Sequence, residues 1–117
     1  VKRFSDDSTN PGRALQIWQI LIGKAHNRQT ITYGALANMI GYSDARPLPN
    51  ILDYIMKYCE QNNLPPLTAL VVNKQSGAPG NGLTTLRNLD ADREEVFNFD
   101  WYALVPPTPE EFRQVHS

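Results

Sequence analysis

"TITYGALANMIGYSDARPLPNI", residues 30–51, is the stretch on which the fold turns. From Tyr33 to Ile40, Leu36, Ala37 and Ile40 form a short apolar stripe at helical spacing, and Gly41 supplies a C-terminal stop. After the turn "YSDAR", Pro47 and Pro49 suit the opening turn of a second helix, where a missing N–H is harmless. Leu48, Ile51, Leu52, Ile55, Tyr58 and Cys59 then repeat at intervals of three and four, which gives that helix one buried face. Its other side carries Asn50, Asp53, Tyr54, Lys57 and Gln61.

Upstream, "DDSTNPG" offers Asn10 as an N-cap with Pro11 in the first helical turn. Ala14, Ile17, Trp18, Leu21, Ile22 and Ala25 follow on one side of a longer helix that ends at "HNRQ". "TIT" is then a short strand or a cap. A long helix followed by two short ones across a tight turn predicts a helix-turn-helix arrangement.

Downstream, Pro65 and Pro66 stop the helix, and "LTALVVN" is an apolar run of strand length. "KQSGAPGNG" is dense in turn formers, and a returning strand would complete a hairpin, the wing of a winged helix. The glycines of that loop do not precede a helix at nucleotide-binding spacing, so it is neither a Walker loop nor a dinucleotide fingerprint. In the tail, "DADREEVFNF" reads as a helix capped by Asp90. "TPEEFRQVHS" reads as another, started by Thr108 and Pro109, with Glu110 and Glu111 favouring the dipole. The aromatic "DWYALVPP" between them folds back on the core. The expected architecture is mainly α with a small β wing, a winged helix-turn-helix in a single domain. It divides into a flexible segment at 1–10, a winged-helix domain at 11–89 and a C-terminal extension at 90–117 packed on it.

Composition sets the outer bounds. The 117 residues, 41% hydrophobic and 20% charged, suit one globular domain. No apolar run reaches the roughly 18 residues needed to span a bilayer, and "VKRFSDDSTN" has no apolar signal core, so a cytoplasmic protein without membrane contact is expected. The net charge of −1 hides a polarity. Residues 1–58 hold seven basic against four acidic side chains, and residues 59–117 four against eight. One basic and one acidic face would follow.

Catalytic chemistry finds little to stand on. The lone Cys59 builds neither a disulfide nor a thiolate cluster, and on an apolar helix face cysteine behaves as a small hydrophobe. His26 and His116 stand far apart with no partner at ligand spacing, so no metal or cofactor is expected. Asp90, Asp92, Glu94 and Glu95 belong to a solvated helix face, and Ser5, Ser8 and Ser43 have no identifiable base.

In order, "TITYGALANMIG", "ARPLPNIL", "LVV" and "SGAPGNG" resemble the DNA-binding, C-terminal winged-helix domain of the alkylguanine-DNA alkyltransferases and the alkyltransferase-like proteins. The resemblance covers roughly residues 13–83 and implies a place in DNA repair. It implies that Tyr33, at the family's Thr/Ser-Tyr pair, helps rotate a nucleotide's phosphate. It further implies that Ala45 and Arg46 begin a recognition helix laid in the minor groove, the arginine taking the space of an extruded base. The family's enzymes carry Pro-Cys-His-Arg before a Val-Val pair, whereas here Leu67, Thr68, Ala69 and Leu70 precede Val71 and Val72. A threonine hydroxyl without a base cannot replace a thiolate, so alkyl transfer is not expected. Gly82 also stands where the family has a pocket tyrosine, and the segment from Arg46 to Val71 is several residues longer.

Two functional expectations result. The first is a non-enzymatic protein that binds duplex DNA, damaged or distorted, through Tyr33, Ala45, Arg46, Asn50, Tyr54 and Lys57. The second is a protein-interaction module on the same scaffold, docking a partner through the acidic tail and the aromatics of "FDWYALVPP". Each marked residue has a plainer use: Tyr33 packs on Trp18 or Leu36, and Arg46 pairs at the surface with Asp44 or Asp53.

Overall fold

Thr9, one residue before the expected Asn10, opens the first helix. Its backbone is extended and its Oγ1 accepts the Gly12 N–H at 3.3 Å, so α1 runs Asn10–His26 with Pro11 in the first turn. These features belong to a computed structural model that describes residues 1–6, 8–74 and 89–117. Asn27 closes α1, and Arg28 turns the chain in the left-handed region at φ 54°.

Thr32 then serves twice. It ends strand β1 (Ile31–Thr32), and its Oγ1 accepts the Ala35 N–H at 3.1 Å to cap α2 (Tyr33–Met39). Gly41 adopts φ +89°, which lets the Tyr42 N–H return to the Ala37 carbonyl and end the helix, as its sequence position predicts. Pro47 precedes α3 (Leu48–Gln61), which buries Leu48, Ile51, Leu52, Ile55, Met56 and Cys59.

The run "LTALVVN" departs from expectation. Leu67–Leu70 wind into a 3-10 turn, and β2 is only Val71–Val72. All four residues of the turn are buried, the β-branched Thr68 among them, so packing overrides the strand preference of the run there. The partner of β2 is β1, in parallel register with Ile31 opposite Val71 and Thr32 opposite Val72. A parallel pair needs a long crossover, and α2 and α3 supply it. The loop after Lys74 and the expected returning strand lie outside the described residues.

In the tail, α4 (Leu89–Asn98) already includes Asp90 in its first turn, so Asp90 does not cap it. Trp101–Ala103 make a 3-10 turn, and α5 (Pro109–Gln114) carries a full capping box between Thr108 and Glu111.

The core gathers on the buried side of α1. Trp18 meets Tyr58, Trp101 and Phe112 edge-on or tilted, with ring centroids 5.6, 5.6 and 6.1 Å away. The Trp101 indole N–H is itself satisfied by the Val96 carbonyl at 2.8 Å. Val96, Trp101 and Phe112 from the tail thus share one core with α1 and α3. The radius of gyration, 13.2 Å, matches the roughly 13 Å of a single compact body of this length. Among the described residues the fold is mainly helical with one two-stranded parallel sheet.

Candidate nucleic-acid interface

The corner between α2 and α3 is fixed from below by α1. Arg13, half-buried, donates to Gln16 Oε1 at 2.8 Å and to the Ile40 carbonyl at 3.0 Å, and its guanidinium lies 5.2 Å from the centre of the Tyr42 ring. Tyr33 is half-buried and packs against the core at the start of α2. Gly34 and Ala35 beside it are exposed, with open space where a Gly34 side chain would stand. Ala45 is half-buried against the core, and its carbonyl accepts the Leu48 N–H at 3.0 Å.

Arg46 sits on the rim of this corner with its side chain 90% exposed, yet it is not free. Its Nε lies 3.1 Å from both Asp44 carboxylate oxygens, its Nη2 donates to Oδ2 at 2.7 Å, and its backbone N–H donates to Oδ1 at 2.9 Å. The guanidinium hydrogen bonds, then the backbone one, hold the Asp44 carboxyl down at about 2. The same pairing raises Arg46. Arg46 is therefore forked on a surface aspartate two residues upstream. The pattern Asp-Ala-Arg carries that signal, because a short aspartate readily accepts the backbone N–H two residues on.

The outward side of α3 is shared with the chain's own end. His116 Nε2 lies 3.4 Å from Asp53 Oδ2, and the His116 ring meets the Tyr54 ring edge-on at 4.5 Å. Farther along, Gln61 Nε2 donates to the Val115 carbonyl at 2.8 Å. That side of α3 is thus occupied at Asp53, Tyr54 and Gln61. Asn50 is exposed and Lys57 half-exposed. An open cleft of about 510 Å³, lined by Asn10, Pro49, Asn50, Asp53, Tyr54 and His116, marks where tail and helix meet. Nothing in the local sequence marks His116 for this place, because the contact depends on how α5 docks.

Neither residue considered as a nucleophile is placed to react. Thr68 is 1% exposed, and its Oγ1 is buried with no hydrogen-bond partner. Burial pushes the Cys59 thiol up to about 12, leaving it protonated at neutral pH. Among the described residues no group of three or more His, Cys, Asp or Glu could hold a metal ion, and no helix is long and apolar enough to cross a membrane. Gly82 lies outside the described residues. No protein-family model, curated protein or solved structure gives a significant match to the chain.

Proposed function

We propose that this chain binds duplex DNA without acting chemically on it, as a winged helix-turn-helix of the alkyltransferase-like kind that favours damaged or distorted sites. The contact is the α2–α3 corner rather than the length of α3. It consists of the exposed rim around Gly34 and Ala35, part of Tyr33, and Arg46 with Asn50 at the opening of α3.

The observation that carries the reading is Arg46. A planar guanidinium stands 90% exposed at the start of a helix, and its carboxylate partner is itself 41% exposed. Ion pairs between such exposed groups are weak, so a phosphate can displace Asp44 at small cost. Asp44 still competes with every phosphate that approaches, which keeps binding weak and sensitive to salt.

Fluorescence anisotropy of a labelled duplex, titrated over a range of salt, tests this. Affinity should fall linearly on a log–log plot, and Arg46→Ala should weaken binding more than Lys2→Ala. If neither an intact nor a lesion-bearing duplex binds below about 0.1 mM at low salt, the reading fails.

One observation favours the second reading, a protein-docking module. Tyr102 and Val105, in the aromatic segment of the tail, are 60% and 89% exposed. Trp101 of the same segment is buried, which removes it from any such surface.

A further inference from the structure

Beneath the turn from α2 to α3 stands a half-buried cation, Arg13 of α1, that pairs with no carboxylate among the described residues. Only its Nη1 donates, to Gln16 Oε1 and to the Ile40 carbonyl, while the guanidinium lies over the Tyr42 ring. Nε is buried without a partner. Nη2 makes no hydrogen bond either, but it keeps accessible surface.

The plain use of this side chain is to cap α2, whose C-terminal carbonyl it reaches. Capping does not cancel its charge. A helix end offers about half a unit of negative charge, and a ring face offers less. A half-buried cation left uncompensated is costly, which favours an anion on its open side.

Position decides which anion. Ile40 and Tyr42, which Arg13 touches, belong with Arg46 to the one turn that joins α2 to α3. Asn10, one helical turn earlier on α1, lines the cleft at the opening of α3 together with Asn50. The first turns of α1 and α3 therefore meet beside the proposed duplex contact. The two arginines there differ in readiness. Arg46 must release Asp44 and then order a side chain that is 90% exposed, whereas Arg13 is already held by two hydrogen bonds and a ring and displaces nothing.

We propose that Arg13 is the principal phosphate anchor of the duplex interface, its Nη2 donating to one backbone phosphate beside the α2–α3 turn. A phosphate contact positions the duplex and carries no base preference. The inference rests on the DNA reading and adds α1 to its footprint.

Anisotropy of a labelled duplex over a range of salt tests it on Arg13→Gln, Arg13→Lys and Arg46→Ala. Arg13→Gln should weaken low-salt binding about tenfold, more than Arg46→Ala, and should make the log–log salt slope shallower by about 0.9, the loss of one phosphate contact. Arg13→Lys keeps the charge and should keep most of the slope. A corner merely loosened by Arg13→Gln would lose affinity with its slope unchanged, and that result overturns the proposal, as does binding equal to that of the unaltered chain. A second measurement needs no variant. In the 15N-arginine-labelled full chain, inorganic phosphate exchanged for chloride at constant ionic strength should shift the Arg13 Nε–H resonance saturably and leave that of exposed Arg3 in place. An unmoved Arg13 overturns the proposal even where a duplex binds, and the DNA reading then stands on Arg46. A phosphate-responsive Arg13 in a chain that binds no duplex sinks the DNA reading, and with it the anchor, leaving a bare anion site.

Discussion

Asp44 holds Arg46 by both its side chain and its backbone, in a fork two residues wide at the head of α3. The pair is exposed to water, so it adds little to stability. Asp44→Asn removes the competing charge while an amide oxygen can still accept the backbone N–H. Duplex affinity should rise about threefold to tenfold at low salt, and the salt slope should steepen as the freed arginine engages phosphate. An unchanged or lower affinity in the anisotropy assay would show that Arg46 does not touch the strand.

The same fork sets a pH dependence. Asp44 is held below its ordinary value of 3.8, at about 2. A carboxylate depressed on folding contributes its stability in full above the unfolded value and loses it as pH falls through the folded one. Acid titration followed by carboxylate carbon shifts should therefore show Asp44 still ionised at pH 3, and Arg46→Ala should return its midpoint towards 3.8.

Asn50 and Tyr54 stand one helical turn apart but differ in cover, because His116 already occupies the Tyr54 ring. With the footprint at the α2–α3 corner, Asn50→Ala should lower duplex affinity severalfold and Tyr54→Ala should leave it within about twofold, the scale of a residue outside the contact. The reverse order would move the interface down α3 and require the tail to lift.

Thr68 and Cys59 give predictions free of any ligand. Thr68→Val keeps the side chain's outline and removes a buried hydroxyl with no partner, so the melting temperature should rise by an amount corresponding to about 1 kcal/mol. The Cys59 thiol should not react with a disulfide reagent at pH 8 in the folded chain and should react at once in denaturant. Rapid native labelling would contradict the buried position of Cys59 on α3.

Phe112 fills the space between Trp18 and Tyr58 and is fully buried. Phe112→Ala should cost about 3–5 kcal/mol in denaturant unfolding, as large aromatic deletions in cores do. Thr108→Ala, which removes only the cap of the same helix, should cost about 1 kcal/mol. Equal losses would mean that α5 docks through its end rather than its ring.

Local chemistry accounts for much of this molecule. The apolar spacing of α1 and α3, the Gly41 stop, the proline at the opening of α3 and the Thr108 cap can all be read from neighbours within four residues, since helix geometry and caps depend on nothing farther away. Several features depend instead on residues distant in the chain. Val71–Val72 found a parallel partner in Ile31–Thr32, because strand pairing is settled by which edges the packed helices bring together. His116 came to lie on Tyr54 and Asp53, and Glu60 to share a cleft with Asp92 and Glu95, only once α4 and α5 had docked. The sequence named the side chains able to carry charge and hydrogen bonds. Packing decided which of them still face solvent, because exposure is a property of the whole fold and not of any short stretch.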